Sequence, residues 1–129
     1  MDDVYSLFRN GSRLLEDGDY HAAAVPLTRA RDLAPGEDSI HEALGRALFG
    51  ARRFGEAAAE FAAVAEHAPT NDYALFCLGR SLQLCGRHGE ARRPLALAAQ
   101  LRPERDDYRR YRDQARRHAG GDAGSSAAA

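Results

Sequence analysis

The sequence predicts an all-α solenoid built from three helix-turn-helix repeats and a capping helix. The first observation is a spacing of 34 residues that recurs in three columns, at Gly11, Gly45 and Gly79, at Ala23, Ala57 and Ala91, and at Pro35, Pro69 and Pro103. The second is that apolar residues within each unit keep helical spacing. The third is a polar segment with one apolar stripe after the last unit, which is typical of a terminal cap.

The 34-residue spacing divides residues 4–105 into the units 4–37, 38–71 and 72–105. In each unit a glycine-containing turn, at 16–19, 52–55 and 85–89, separates two helical stretches. The proline that closes each unit ends the second stretch. Glycine on the first helix and alanine on the second let the two helices approach closely, beside the large column of Leu27, Phe61 and Leu95.

Two prolines interrupt this regular pattern. Pro26 and Pro94 occupy the same column, inside the predicted second helices of units one and three. A proline inside a helix costs about 3 kcal/mol because one hydrogen bond is lost and the ring clashes, and the cost is smaller near the helix start. We therefore expect these helices to bend at the prolines but not to end there.

The chain after the third repeat divides into two parts. Residues 106–118 form the predicted capping helix, on which Tyr108, Tyr111 and Ala115 share one face. A solenoid leaves an apolar face open at its last unit, and a helix with a polar outer side covers it. Residues 119–129 are small and have nothing to bury, so the sequence predicts a disordered tail.

Composition limits the function classes. The 129 residues carry a net charge of −1 and are 44% apolar, which is typical of one globular domain with no general affinity for nucleic acid. No apolar run approaches the ~20 residues of a membrane span, and the N-terminus does not resemble a secretory signal. We therefore expect a cytoplasmic protein that does not bind membranes.

The reactive residues have no catalytic or ligating spacing. Cys77 and Cys85 lie on one predicted helix, about 12 Å apart along its axis, so they cannot form a disulfide with each other. The five histidines lack a ligand spacing, and no phosphate-binding glycine loop or nucleophile–base set occurs. We expect no metal, no cofactor and no enzymatic activity, although a catalytic set can be assembled in space. The arginines of the capping helix alternate with acidic residues, which favours a solvated helix over a nucleic-acid site.

The repeat units resemble the tetratricopeptide repeat family. The turn and second helix of the family are similar to Gly18-Asp19-Tyr20-His21-Ala22-Ala23 and to Phe54-Gly55-Glu56-Ala57-Ala58-Ala59-Glu60-Phe61. The middle of its first helix is similar to Leu78-Gly79-Arg80-Ser81-Leu82. The resemblance implies a right-handed superhelix whose concave face, lined by the first helices, binds peptides or protein segments.

Carrying the concave columns over to this chain gives a set of candidate groove residues. They are Tyr5, Phe8, Arg9, Ser12, Glu42, Arg46, Phe49, Tyr73, Phe76, Arg80 and Gln83, with Leu15, Ser39, Ala43 and Cys77 in the same columns. Aromatic rings provide rigid contact area, and arginine binds carboxylates at two points. The expected partner is a segment with apolar anchors and an acidic group. In the alternative interpretation, Phe8 and Phe76 only pack between neighbouring helices.

One subtype of the family is excluded by its columns. That subtype grips the C-terminal carboxylates of heat-shock chaperones with lysine, asparagine and arginine. The corresponding columns here hold Phe8, Ser12, Ala43, Tyr73 and Cys77. None of these residues supplies the required charge or amide group, so we do not expect the chaperone clamp.

The sequence therefore predicts a non-enzymatic adaptor that binds a protein segment in its concave groove. The alternative is a structural protein that forms homo-oligomers through its repeat ends. Uneven charge motivates this alternative, since residues 1–38 carry −4, residues 39–71 carry −1 and residues 72–129 carry +4. A small enzyme or a nucleic-acid module is the third interpretation.

Overall fold

The computed structural model describes the backbone of residues 3–128 and the side chains of residues 3–118. Within these residues the chain forms seven α-helices and no strand, which confirms the predicted all-α repeat fold. The helices are α1 Val4–Glu16, α2 Tyr20–Leu33, α3 Asp38–Gly50, α4 Phe54–His67, α5 Asp72–Leu84, α6 His88–Leu101 and α7 Asp106–Ala128.

The helices pack in chain order, so each helix lies against the one before and the one after it. Contacts also join α1 to α3 and α5 to α7, which brings first helices of successive units together along one side. The core runs through the whole stack as a series of buried apolar clusters between neighbouring helices. This arrangement is a solenoid, in which the first helices form one wall and the second helices the other.

The close approach predicted for the glycine column is confirmed. A Cβ atom added at Gly11 would lie 2.5 Å from Leu27 Cγ, and one at Gly79 would lie 2.4 Å from Leu95 Cγ. At Gly45 it would lie 2.9 Å from Phe61 Cζ. Each glycine therefore leaves room for the large side chain of its own repeat.

The turns inside the three repeats share one backbone conformation. The residue with positive φ occupies the same column in each unit, namely Gly18 at 78°, Arg52 at 63° and Gly86 at 84°. Gly55 and Gly89, predicted to lie in the second and third turns, lie inside α4 and α6 instead. Arg52 thus adopts the left-handed conformation that glycine occupies in the other two units, although a side chain disfavours it.

Both helices that contain an internal proline continue through it. Pro26 lies in α2 and Pro94 in α6, and both side chains are buried. The prediction that these helices do not end at proline is confirmed.

Helix α7 follows the third repeat and packs on α6 and α5. Tyr108 and Ala115, predicted to face the last repeat, are buried. The Tyr108 hydroxyl donates to Asp72 Oδ2 at 2.8 Å, and burial raises the pKa of Tyr108 to about 12, so the hydroxyl stays a donor. Helix α7 continues to Ala128, past the predicted boundary at residue 118, so the backbone of 119–128 is helical where the sequence predicted a disordered tail.

Candidate binding pocket

A pocket of about 600 Å³ opens where α3, α5 and α7 meet. Its volume is in the range of sites that bind small molecules or short segments. Helix α3 contributes Arg46, Phe49 and Gly50; α5 contributes Tyr73, Phe76, Cys77 and Arg80; and α7 contributes Asp107, Tyr108, Arg110 and Tyr111. Leu15, Tyr20, Phe61 and Arg105 complete the lining.

Stacked aromatic rings form one wall of the pocket. The Phe76 ring lies 4.6 Å from that of Tyr108, with an interplanar angle of 25°, and 5.8 Å from that of Tyr111. Phe49 packs edge-on against Phe54 at 5.1 Å. These contacts hold the rings in place before any partner binds, which lowers the entropic cost of binding.

Arg80 is held by neighbours inside the protein. Its guanidinium lies 3.9 Å from the centre of the Tyr111 ring and donates to Gln83 Oε1 at 2.7 Å. The Gln83 amide in turn donates to the Tyr111 carbonyl at 3.2 Å. Burial lowers the pKa of Arg80, although an arginine stays charged at neutral pH.

The other arginines of the pocket differ in whether they have a counter-ion. Arg105 is paired with Asp107 at 2.8 Å and lies over the Tyr108 ring. Arg46 and Arg110 are exposed, and within the described residues neither forms a hydrogen bond or an ion pair. Their guanidinium groups can therefore bind an incoming anion without breaking an existing ion pair.

Two side chains of the pocket that could act as nucleophiles, Cys77 and Tyr73, are held in their neutral forms. Burial raises the pKa of the Cys77 thiol to about 11, so this cysteine is not a thiolate at neutral pH. Burial likewise raises the pKa of the neighbouring Tyr73 hydroxyl. The pocket is thus equipped for contact and charge recognition, and its lining lacks a histidine among the described residues.

The structure brings five of the predicted groove residues together in this pocket, namely Arg46, Phe49, Tyr73, Phe76 and Arg80. The other six lie outside its lining, and these are Tyr5, Phe8, Arg9, Ser12, Glu42 and Gln83. Tyr5 is 69% exposed, whereas Phe8 packs between buried residues of α1, α2 and α3, as the alternative interpretation proposed for it. Arg9 borders a separate depression on α1 with Ser6, Asn10 and Arg13.

The part of the pocket that α7 supplies is absent from the residues predicted from sequence. Three of its lining residues are Asp107, Arg110 and Tyr111. They follow Tyr73, Phe76 and Cys77 by the same 34 positions that relate the repeats. Extending the columns one unit further, onto the capping helix, would have found them.

The described part of the chain has neither a metal-type cluster nor a helix of membrane-spanning character. No cluster of three or more histidine, cysteine or acidic side chains there is arranged to hold a metal ion. None of the described helices combines the length and the apolar character needed to cross a bilayer.

Known proteins resemble this chain in sequence pattern and in fold. The tetratricopeptide repeat family model matches residues 14–75. A search of curated protein sequences finds no match. A structure of MamA from AMB-1 superposes with a TM-score of 0.84 at 25% identity and covers 92% of this chain. This chain spans 64% of that MamA chain, which is less than two thirds of its length.

Two further structures share the fold at lower identity. MamA residues 41 to the end from Desulfovibrio magneticus RS-1 is 21% identical, with a TM-score of 0.78, and the match covers 90% of this chain and 71% of that one. The first TPR of Spaghetti (RPAP3), bound to the HSP90 peptide SRMEEVD, is 16% identical with a TM-score of 0.78. That match covers 88% of this chain and 90% of the Spaghetti chain.

Proposed function

Because residues 14–75 match the tetratricopeptide repeat family model and the described residues have the fold of that family, we propose that this protein is a non-enzymatic adaptor that binds a protein segment in its concave pocket. The observation that supports this proposal most directly is the pocket of about 600 Å³, in which preformed aromatic rings lie beside the unpaired guanidinium of Arg46. Such a combination gives contact area and orientation at low entropic cost.

The solved structure of Spaghetti supports a peptide-binding function, because a peptide is bound there to a domain of the same fold. The chemistry of the ligand differs in our proposal. At the chaperone-clamp columns this chain carries aromatic and small residues, and the charged groups of its pocket come from other positions, on α3, α5 and α7. We therefore propose a partner other than the terminal carboxylates of chaperones.

Site-specific photo-cross-linking in the native cell tests this proposal. A benzophenone amino acid replaces Tyr73, which is 41% exposed and lines the pocket, or Val25, which is 64% exposed on α2 outside it. We expect a defined protein partner to be linked at position 73 and not at position 25, because a bound segment lies against α5.

Two results of the cross-linking would count against the proposal. Equal labelling at both positions would indicate adhesion without a preferred surface. A product consisting only of two copies of this chain would favour the alternative, a self-assembling structural protein.

A further inference from the structure

The pocket carries an excess of positive charge. Four arginines line it, and the carboxylate of Asp107, bound by Arg105 through contacts of 3.0 and 2.8 Å, is the acidic group in the described lining. Glu42 lies one helical turn before Arg46 and is not part of the lining. Its negative charge adds to the effect of burial in raising the pKa values of Tyr73 and Cys77. These two carboxylates leave the positive charge of the pocket only partly balanced.

Two of the arginines share one aromatic ring. The guanidinium carbons of Arg80 and Arg110 lie 3.9 and 5.2 Å from the centre of the Tyr111 ring. No described carboxylate pairs with either of them. Burial lowers the pKa of Arg80, and the positive charge of Arg110 lowers it further because the two guanidinium groups repel each other. An anion bound at this point would relieve that repulsion.

We infer, on the basis of the proposed function, that the pocket binds an acidic peptide segment whose carboxylates are held by Arg46 of α3 and Arg110 of α7. Arg80 lies beside Arg110 on the Tyr111 ring, and its hydrogen bond to Gln83, whose amide donates to the Tyr111 carbonyl, joins α5 to α7. An apolar side chain of the segment lies against Phe76 and Tyr73. The capping helix is therefore half of the binding site as well as the end of the solenoid.

Selection of short random peptides displayed on phage against the full chain tests the inference. We expect the selected peptides to be enriched in aspartate and glutamate beside an aromatic or aliphatic residue. Synthetic copies in which each acid is replaced by its amide should bind about tenfold more weakly or worse, because charged hydrogen bonds to arginine are lost.

A pair of double variants makes the test specific to the pocket. We expect R46A/R110A to weaken binding of the acidic peptides by about tenfold or more. The control R92A/R93A removes the same charge from exposed positions of α6 outside the pocket, and it should change binding by less than about twofold. All four side chains are exposed, so both variants should keep the helical circular dichroism of the parent.

The outcomes separate this inference from the proposed function. The selection can yield peptides whose binding is weakened by Tyr73→Ala. If these peptides carry no excess of acidic residues, or bind R46A/R110A as tightly as the parent chain, the inference is overturned and the adaptor function still stands. Equal effects of the two double variants would mean a diffuse charge effect and would overturn it as well. A selection that yields no peptide sensitive to Tyr73→Ala would contradict both.

Discussion

The second repeat carries a buried polar pair where its neighbours carry an apolar one. At the 34-residue spacing, His41 and Glu60 occupy the columns that hold Leu7 and Pro26 in unit one and Leu75 and Pro94 in unit three. A hydrogen bond of 2.8 Å joins His41 Nδ1 and Glu60 Oε1. His41 Nε2 donates to the Pro35 carbonyl, and Arg31 donates to Glu60, both at 2.7 Å. Both members of the pair are satisfied, as burial requires.

Glu60→Ala should lower the free energy of unfolding by about 2–3 kcal/mol, because it leaves His41 Nδ1 buried without a partner. The matched control is Glu56→Ala on the same helix, whose exposed pair with Arg53 contributes no more than about 1 kcal/mol. Urea denaturation followed by circular dichroism measures both.

The double variant H41L/E60A removes both partners of the hydrogen bond and restores the leucine of the flanking units. It should be more stable than Glu60→Ala alone, because no imidazole is then left unsatisfied. A Glu60→Ala variant as stable as Glu56→Ala would contradict this account of the pair.

At the scale of the helix pair, the glycine column sets the distance between the two helices. Gly79→Ala should destabilise the protein by about 1–3 kcal/mol, because the new methyl group would overlap the buried Leu95. Gly89→Ala on α6 is the control, since a Cβ there meets nothing within 4 Å, and alanine favours a helix by up to about 1 kcal/mol. Thermal unfolding of the two variants should therefore shift in opposite directions, and equal shifts would refute the packing role of Gly79.

The helices themselves could be predicted from sequence because their signals are local. The 34-residue spacing fixed the pairing of α1 with α2, α3 with α4 and α5 with α6, and the glycine column fixed how closely they pack. The surroundings of Arg80 could not be predicted in this way. Its contacts with Tyr111 depend on how α7 docks against α5, which is a property of the folded chain.

At the scale of the whole molecule, both ends of the solenoid carry polar residues in columns that are apolar further inside. On α1 the polar positions are Ser6, Arg9, Asn10 and Arg13, whose counterparts in unit two are the buried Ile40, Ala43, Leu44 and Ala47. On α7 they are Arg109, Arg112, Asp113 and Arg116, whose counterparts on α5 are Leu75, Leu78, Gly79 and Leu82. Both faces are basic on balance, so stacking one end on the other brings like charges together. The net charges of residues 1–38 and 72–129, which are −4 and +4, had indicated attraction between the two ends.

Because the ends are polar, we propose the inner wall as the surface for a partner. That surface is concentrated in the half of the molecule formed by α3, α5 and α7, where the aromatic rings and the unpaired arginines lie together. The first repeat contributes Leu15 and Tyr20 to its border. We therefore expect one binding site, placed toward the capped end.

The most direct measurement of this claim is a titration of the ¹⁵N-labelled chain with a selected peptide, followed by ¹H–¹⁵N correlation spectra. The account predicts that the largest shift changes fall on pocket residues of α3, α5 and α7, including Arg46, Tyr73 and Tyr111, while Val25 on α2 is unaffected. Changes that are largest on the outer surface of α2, α4 and α6, or at the two ends, would contradict it.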